Sequence, residues 1–366
     1  LMNGAAIGRL SDELGSELAI MKGRVDGLEA RVNGIEAGSF SDTTTMGGTA
    51  GFLIGATDSA SDANDKVMME YFYEVDLNTS FTGEDKLNIE IETGNHPGIG
   101  VGADKVGLDW GSDNGDTLKV SDVNYTFPLG GWTVAVGDSM DASKTWPNAC
   151  AVNNMVDNLG DCGAANSVDL SGDVSLSAST EFGDGWELGL GISADSGETS
   201  RGIFTNEGDD YYGIAIGYER DTFGFTAAYS MKESTTIANS TTGWVQSDNA
   251  SQKDTTYYGL VGYYSPESTP LTLSGGIELS DIEGTNTDKT QWTVGVSTDL
   301  GEGTLSATFG TNGAIADNAE EIYAYDLSYE YPINDSMSVT PFVYVAETTG
   351  STVDTTGAGA FVSFSF

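Results

Sequence analysis

The side chains able to do chemistry in this sequence are overwhelmingly carboxylates. Fifty-six Asp and Glu stand against 14 Lys and Arg, a formal net charge of −42. His96 is the only histidine, so a multi-histidine metal centre cannot be assembled, and a Ser-His-Asp triad would hang on one loop residue. Glu90 and Glu92 share a face, but such acid pairs arise by chance at this density. Gly98-Ile99-Gly100-Val101-Gly102 lacks the Lys-Ser/Thr and the strand–helix setting of a phosphate-binding loop. No enzyme is expected. Nucleic acid is excluded as a partner, because binding phosphate needs the opposite charge.

What carboxylates in number can do is attract cations. Acidic clusters recur in loops at 62–65, 109–116, 207–210 and Glu320-Glu321. Oxygen ligands of this kind suit calcium or magnesium, though none follows the twelve-residue calcium-loop pattern, and solvated loop charge is the alternative. No other cofactor is implied. Cys150 and Cys162 lie twelve apart in a polar stretch with no histidine beside them. A disulfide, and so an oxidising compartment, is the favoured reading.

The 36 aromatic residues (16 Tyr, 14 Phe and 6 Trp) are too many for a disordered acidic chain. No run of 18 apolar residues exists, so no transmembrane helix is expected, which leaves open a barrel whose lipid face uses every second residue. Alternation of period two predicts sixteen strands, at about 43–57, 67–81, 86–94, 117–127, 132–138, 172–182, 186–195, 210–219, 222–231, 255–265, 271–280, 289–300, 304–311, 321–331, 337–346 and 358–366. Tyr71, Tyr73, Val75 and Leu77 oppose Glu70, Glu74, Asp76 and Asn78; Leu87, Ile89 and Ile91 oppose Lys86, Asn88, Glu90 and Glu92. Asp122 breaks its strand's pattern, and a bulge near 121–123 repairs it.

A soluble sandwich also alternates, but two features argue against it. Seven short turns alternate strictly with eight long polar loops, as an even-stranded barrel in an outer membrane requires. Phe81, Phe127, Trp132, Phe182, Trp186, Tyr218, Phe223, Tyr264, Tyr331 and Phe366 gather at the short-turn ends, where amphipathic rings settle at a membrane interface. The fold expected for 41–366 is an all-β, 16-stranded antiparallel transmembrane β-barrel.

Residues 1–40 read differently. Leu14, Leu18, Met21, Val25, Leu28, Val32 and Ile35 step by 4 and 3, a heptad. Glu17, Arg24 and Arg31 at g face Lys22, Glu29 and Glu36 at e of the next heptad. The pairing predicts a short parallel α-helical coiled coil of identical chains; a helix packed on its own barrel is the alternative. Gly23, Gly27 and Gly34 weaken the helix by about 1 kcal/mol each. Leu1 is not preceded by a charged leader, so a processed or truncated start is expected.

The longest connection, about 139–171, follows the fifth strand; resemblance to sixteen-stranded porins, in which the loop at this place folds inward, implies a constriction here, with a solvated cap over the mouth as the alternative. Asp138, Asp141, Lys144, Asp157 and Asp161 are the candidate constriction residues. Glu70, Glu74, Asp76, Lys86, Glu90, Glu92 and Lys119 are the candidate lumen wall, in which Lys86 and Lys119 would set a transverse field against the loop acids. These residues imply a pore for small hydrophilic solutes and ions that favours cations. The alternatives are a channel selective for a sugar or a metal species, a tether between membrane and wall, and a surface β-protein without a pore.

Residues 15–36 (GSELAIMKGRVDGLEARVNGIE), Phe40-Ser41-Asp42-Thr43-Thr44-Thr45 and Tyr125-Thr126-Phe127-Pro128-Leu129-Gly130 resemble the cyanobacterial outer-membrane porins labelled carbohydrate-selective (OprB-type) or iron-uptake porins. The resemblance runs over essentially the whole chain. It implies a homotrimer in the outer membrane lipid, a coiled coil in the periplasm, and a preceding S-layer-homology domain, absent from this sequence, that grips the cell wall.

Overall fold

A computed structural model describes residues 21, 22, 24, 25, 43–59, 66–95, 108, 114–195, 197–205, 208–233, 254–283 and 288–366. The chain divides into two units, Leu1–Met46 and Gly47–Phe366. In the first, Met21, Lys22, Arg24 and Val25 are helical, with Met21 and Val25 exposed. The other seam positions, Leu14, Leu18, Leu28, Val32 and Ile35, lie outside the described residues, so the coiled coil is not shown.

The second unit is all β, its first strand starting at Thr44 just ahead of the boundary. Its strands are β1 (Thr44–Asp58), β2 (Met68–Thr79), β3 (Lys86–Gly94), β4 (Lys119–Leu129), β5 (Trp132–Asp138), β6 (Val174–Phe182), β7 (Trp186–Asp195), β8 (Asp209–Arg220), β9 (Phe223–Lys232), β10 (Thr255–Tyr264), β11 (Leu271–Ile282), β12 (Lys289–Leu300), β13 (Gly303–Thr311), β14 (Ile315–Ala316), β15 (Tyr323–Asn334), β16 (Met337–Ala346) and β17 (Thr355–Ser365). β14 is a two-residue strip beside β12. The other sixteen each pair antiparallel with their neighbours in sequence, and β17 returns to β1 with Leu53 opposite Phe361. The sheet therefore closes, which removes the unpaired edges that a bilayer cannot solvate.

Seven short turns lie at one end and eight longer connections at the other. Gly130 and Gly131 form a two-residue turn at φ +58° and +88°, a geometry that L side chains resist. At the β2–β3 turn, the Asp85 carboxylate accepts from Ser80, Phe81, Thr82 and Tyr125. The Tyr125 hydroxyl and the Thr82 amide together hold its carboxyl well below the usual range.

Two-residue periodicity sorts the side chains. Phe52, Ile54, Val136, Leu190, Ile214, Leu260 and Leu327 point outward and stay exposed, as a lipid-facing band does. Aromatic rings meet at the short-turn ends: Phe81 with Tyr125, Phe182 with Trp186, Trp186 with Tyr218, Tyr218 with Phe223. The expected bulge is present. Glu90 pairs with Asp122 while Ile91 pairs with Val120, so Ser121 is the extra residue. It lets Val120 and Val123 both face out while Asp122 turns in, sparing a carboxylate from lipid.

Candidate permeation site

The β5–β6 connection lies inside the barrel. It runs outward along the inner wall as one limb, turns, and comes back as a second. On the outbound limb, Thr145 meets Ser177 of β6, the Ala149 amide donates to Thr226 Oγ1 of β9, and the Ala151 amide to Ser274 Oγ of β11. At the tip, Met155 and Val156 amides donate to Asp326 Oδ2 of β15, 2.8 and 3.1 Å away. On the return limb, Asn166 and Ser167 bond Glu278 of β11. The limbs pair with each other, Ala142 N to Leu170 O at 2.8 Å and Met140 N to Asp173 O at 3.2 Å. The Cys150–Cys162 disulfide ties them further.

A track of inward glycines makes room for this. A Cβ on Gly189 would lie 2.6 Å from Trp146 Cδ1, one on Gly217 2.5 Å from Pro147 Cβ, and one on Gly276 2.9 Å from the Cys162 carbonyl. Gly191, Gly213 and Gly259 are equally crowded by the loop. Trp146 is 8 % exposed and packs with Ala142, Val168 and Leu170 against Tyr211, Ala215 and Ala228. The tip is apolar: Met155, Val156 and Leu159 bury against Leu53, Phe342 and Tyr344 of the wall and against Leu108 of the β3–β4 connection. One side of the lumen is thus packed with protein, and the inner faces of β2–β4 carry the charged wall.

That wall is acidic. Cross-strand pairing sets Glu74 opposite Glu92 and Asp76 opposite Glu90, and Glu90 opposite Asp122. Like charges directly opposite destabilise a sheet. Two lysines offset this: Lys119 Nζ lies 2.8 Å from Glu92, and Lys144 Nζ 3.2 Å from Asp122. Asn88 and Asn124 carry hydrogen bonds between Asp76, Asn78 and Asp122.

Glu74, Asp76, Lys86, Glu90, Glu92 and Lys119 alternate onto the inner face of β2–β4, and Glu70 on β2 is buried. Lys119 is engaged by Glu92 beside it. On the loop, Asp141 and Asp157 keep contact with water although protein crowds around them. Burial pushes both carboxyls up; for Asp141 the charges of Asp169 and Asp122 add to it, Lys144 opposes it, and the value reaches about 6. Asp161 lies near Asn148, 3.5 Å away, at φ +47°. Asp138 is placed differently from expectation. It pairs with Val123 at the rim and shares that residue's outward face, because β5 ends before the chain turns in.

Several residues of the site escaped the sequence reading. Glu278 and Asp326 anchor the loop, Asp169 accepts from Ser143 Oγ at 2.9 Å, and Asp122 completes the acidic wall. A detectable signal existed in glycines at inward positions on five of the six strands β7–β12, at 189, 213, 259, 276 and 295. Below the loop, a crevice of about 400 Å³ is lined by Trp146, Glu181, Glu187 and Glu219. Among the described residues no group of three or more His, Cys, Asp or Glu is arranged to hold a metal ion. The acidic segment 62–65 lies outside the described residues, as do residues 109–113 and Glu207.

A family model for Gram-negative porins matches residues 218–366. The uncharacterized protein alr4550 of Nostoc sp. (strain PCC 7120) is 27 % identical over 395 residues, spanning 93 % of this chain and 68 % of that one. Among solved structures, the anion-selective porin from Comamonas acidovorans is similar at 10 % identity and TM-score 0.62, over 88 % of this chain and 99 % of that chain. A variant of the Rh. blastica porin is similar at 14 % identity and TM-score 0.54, over 88 % and 100 %. At these identities the structures establish the fold, a porin barrel. The fold and the family match over 218–366 together support a general diffusion channel of the outer membrane.

Proposed function

We propose that the chain passes small hydrophilic solutes and inorganic ions passively across the outer membrane and favours cations. The observation that carries this is the meeting of two acidic surfaces. The Glu74–Glu92, Asp76–Glu90 and Asp122 ladder lines one wall, and Asp141 of the inward loop feels the charges of Asp169 and Asp122; Asp157 joins them in this reading. Rings of carboxylate repel anions and concentrate cations. The similar porin from Comamonas acidovorans is anion-selective, so the cation preference proposed for this chain rests on its own lining charges. Lys144 and Asp161 belong to the same constriction in this reading.

Selectivity for a sugar has less support. Among the inward rings, Phe72, Tyr211, Phe342 and Tyr344 are buried, and the partly buried Tyr257 and Tyr263 are engaged by Lys232 and Glu219. A homotrimer, a periplasmic coiled coil over 1–40, a link to the cell wall through a further N-terminal domain, and the OprB-type or iron-uptake subtype belong to the proposal through the sequence resemblance. The test is single-channel conductance in a planar bilayer under a KCl gradient. A large steady conductance with a cation-selective reversal potential is expected. Conductance without selectivity removes the cation preference, and no conductance from folded barrel removes the channel.

A further inference from the structure

The return limb meets the wall at one asparagine held between opposite charges on two strands. Glu278 of β11 is only 2 % exposed. Its Oε2 accepts from the Asn166 amide at 3.0 Å, the Ser167 amide at 2.8 Å and Ser167 Oγ at 2.7 Å; its Oε1 accepts from Asn166 Nδ2 at 3.0 Å. From β9, Lys232 Nζ donates to Asn166 Oδ1 at 3.1 Å and to Ser171 Oγ at 3.2 Å, and Ser230 Oγ donates to the Asn166 carbonyl at 2.6 Å. The Lys232 ammonium also lies over the rings of Tyr211 and Tyr257, 5.6 and 5.7 Å from their centroids. Every polar group of Asn166 is therefore engaged by the wall.

A buried carboxylate is costly unless its lone pairs are filled and a cation is near. Here four donors converge on it, more than one amide oxygen accepts, and Lys232 supplies the compensating charge across the Asn166 side chain. The limb so held continues directly into the passage. Asp169 accepts from Ser143 and the Leu170 carbonyl from Ala142, the two residues that follow Asp141.

We propose that Glu278 and Lys232 are positioning residues of the channel: acting through Asn166, they set where Asp141 and Asp169 stand in the passage and so set its cation preference. This rests on the reading of the inward loop as the constriction. It makes selectivity depend on two residues that a permeating ion need not touch.

The test uses full-length barrel carrying Glu278→Ala, Lys232→Met or Asn166→Ala, with Ser280→Ala as a β11 control. Folding is checked by heat-modifiable gel mobility. Hydrogen exchange at the Asn166 and Ser167 amides reads the clamp, and the bilayer reversal potential reads its consequence. Each of the three variants is expected to speed exchange at these amides by roughly tenfold. Each is also expected to add current sublevels and to lower the cation-to-anion permeability ratio by about twofold or more. Ser280→Ala leaves all of these unchanged. Unchanged exchange in folded Glu278→Ala overturns the clamp. Faster exchange with wild-type selectivity overturns the positioning role and leaves a scaffold contact. Should Glu278→Ala fail to fold, Asn166→Ala decides from the loop side on the same two readouts. A wild-type barrel without cation-selective conductance defeats the proposed function instead, a result seen before any variant is compared.

Discussion

Asp141 offers a direct handle on the passage through pH. Its carboxyl, crowded by protein and by Asp169 and Asp122 against the partial relief of Lys144, has its pKa raised to about 6. An ordinary aspartate titrates near 3.9. The direction follows: a raised pKa means the proton is held more tightly, so the charge is present above pH 6 and is lost as pH falls through that value. From pH 7.5 to pH 5 the ionised fraction drops from about 97 % to roughly a tenth, whereas an unperturbed aspartate stays charged. One charge about 6 Å from a passing ion in water contributes about 0.7 kcal/mol, cut to about 0.4 kcal/mol by a Debye length of about 10 Å at 0.1 M salt. Cations lose that attraction and anions lose the matching repulsion, a difference of about 0.8 kcal/mol, or roughly fourfold in permeability ratio. The assay is the reversal potential across a KCl gradient at half-unit steps of pH. Wild type should show a step centred near pH 6, and Asp141→Asn should show the low-pH ratio throughout that range. A flat profile in wild type, or an undiminished step in Asp141→Asn, would refute the assignment of Asp141 to the passage.

The loop's packing yields two more predictions. Breaking the Cys150–Cys162 bond, by Cys150→Ser with Cys162→Ser or by a dithiol, should loosen the inward loop by about 3 kcal/mol on the chain-entropy model, while Trp146 and Glu278 keep it in the barrel. Limited proteolysis should then cut between 150 and 162 without loss of barrel mobility on gels; cleavage at the wild-type rate counts against it. Gly189→Val places a side chain against the Trp146 ring, 2.6 Å from Cδ1 at its first atom. Overpacking of this kind costs about 1–3 kcal/mol, and the outbound limb should shift, raising open-channel noise. Quiet wild-type conductance would show that the limb does not rest in that niche.

Much of the barrel is written in local pattern. All sixteen staves and the order of short and long connections follow from alternation and turn chemistry, with ends that differ by at most about three residues. The bulge that rescues Asp122 was legible too, because a carboxylate in a lipid-facing register contradicts the pattern around it. These features depend on neighbours one or two residues away, or on an environment that treats every strand alike.

The loop is another matter. Its length and its cysteines were visible, and the disulfide formed as the spacing suggested. Its partners were not, since Glu278 and Asp326 lie more than a hundred residues from the amides they hold. In the linear chain both are simply further acids on alternating strands. Only closure of the barrel turns them inward against a loop that returns to meet them. Asp138 shows the same limit from the opposite side. It stands one residue before the loop, yet strand register, a property of its pairing with Val123, sends it outward. The sequence alone determined the wall, its curvature into a closed sheet and its abundance of negative charge. The tertiary structure decided which of those charges face one another across the passage, because that depends on contacts between segments whose sequence separation hides their proximity.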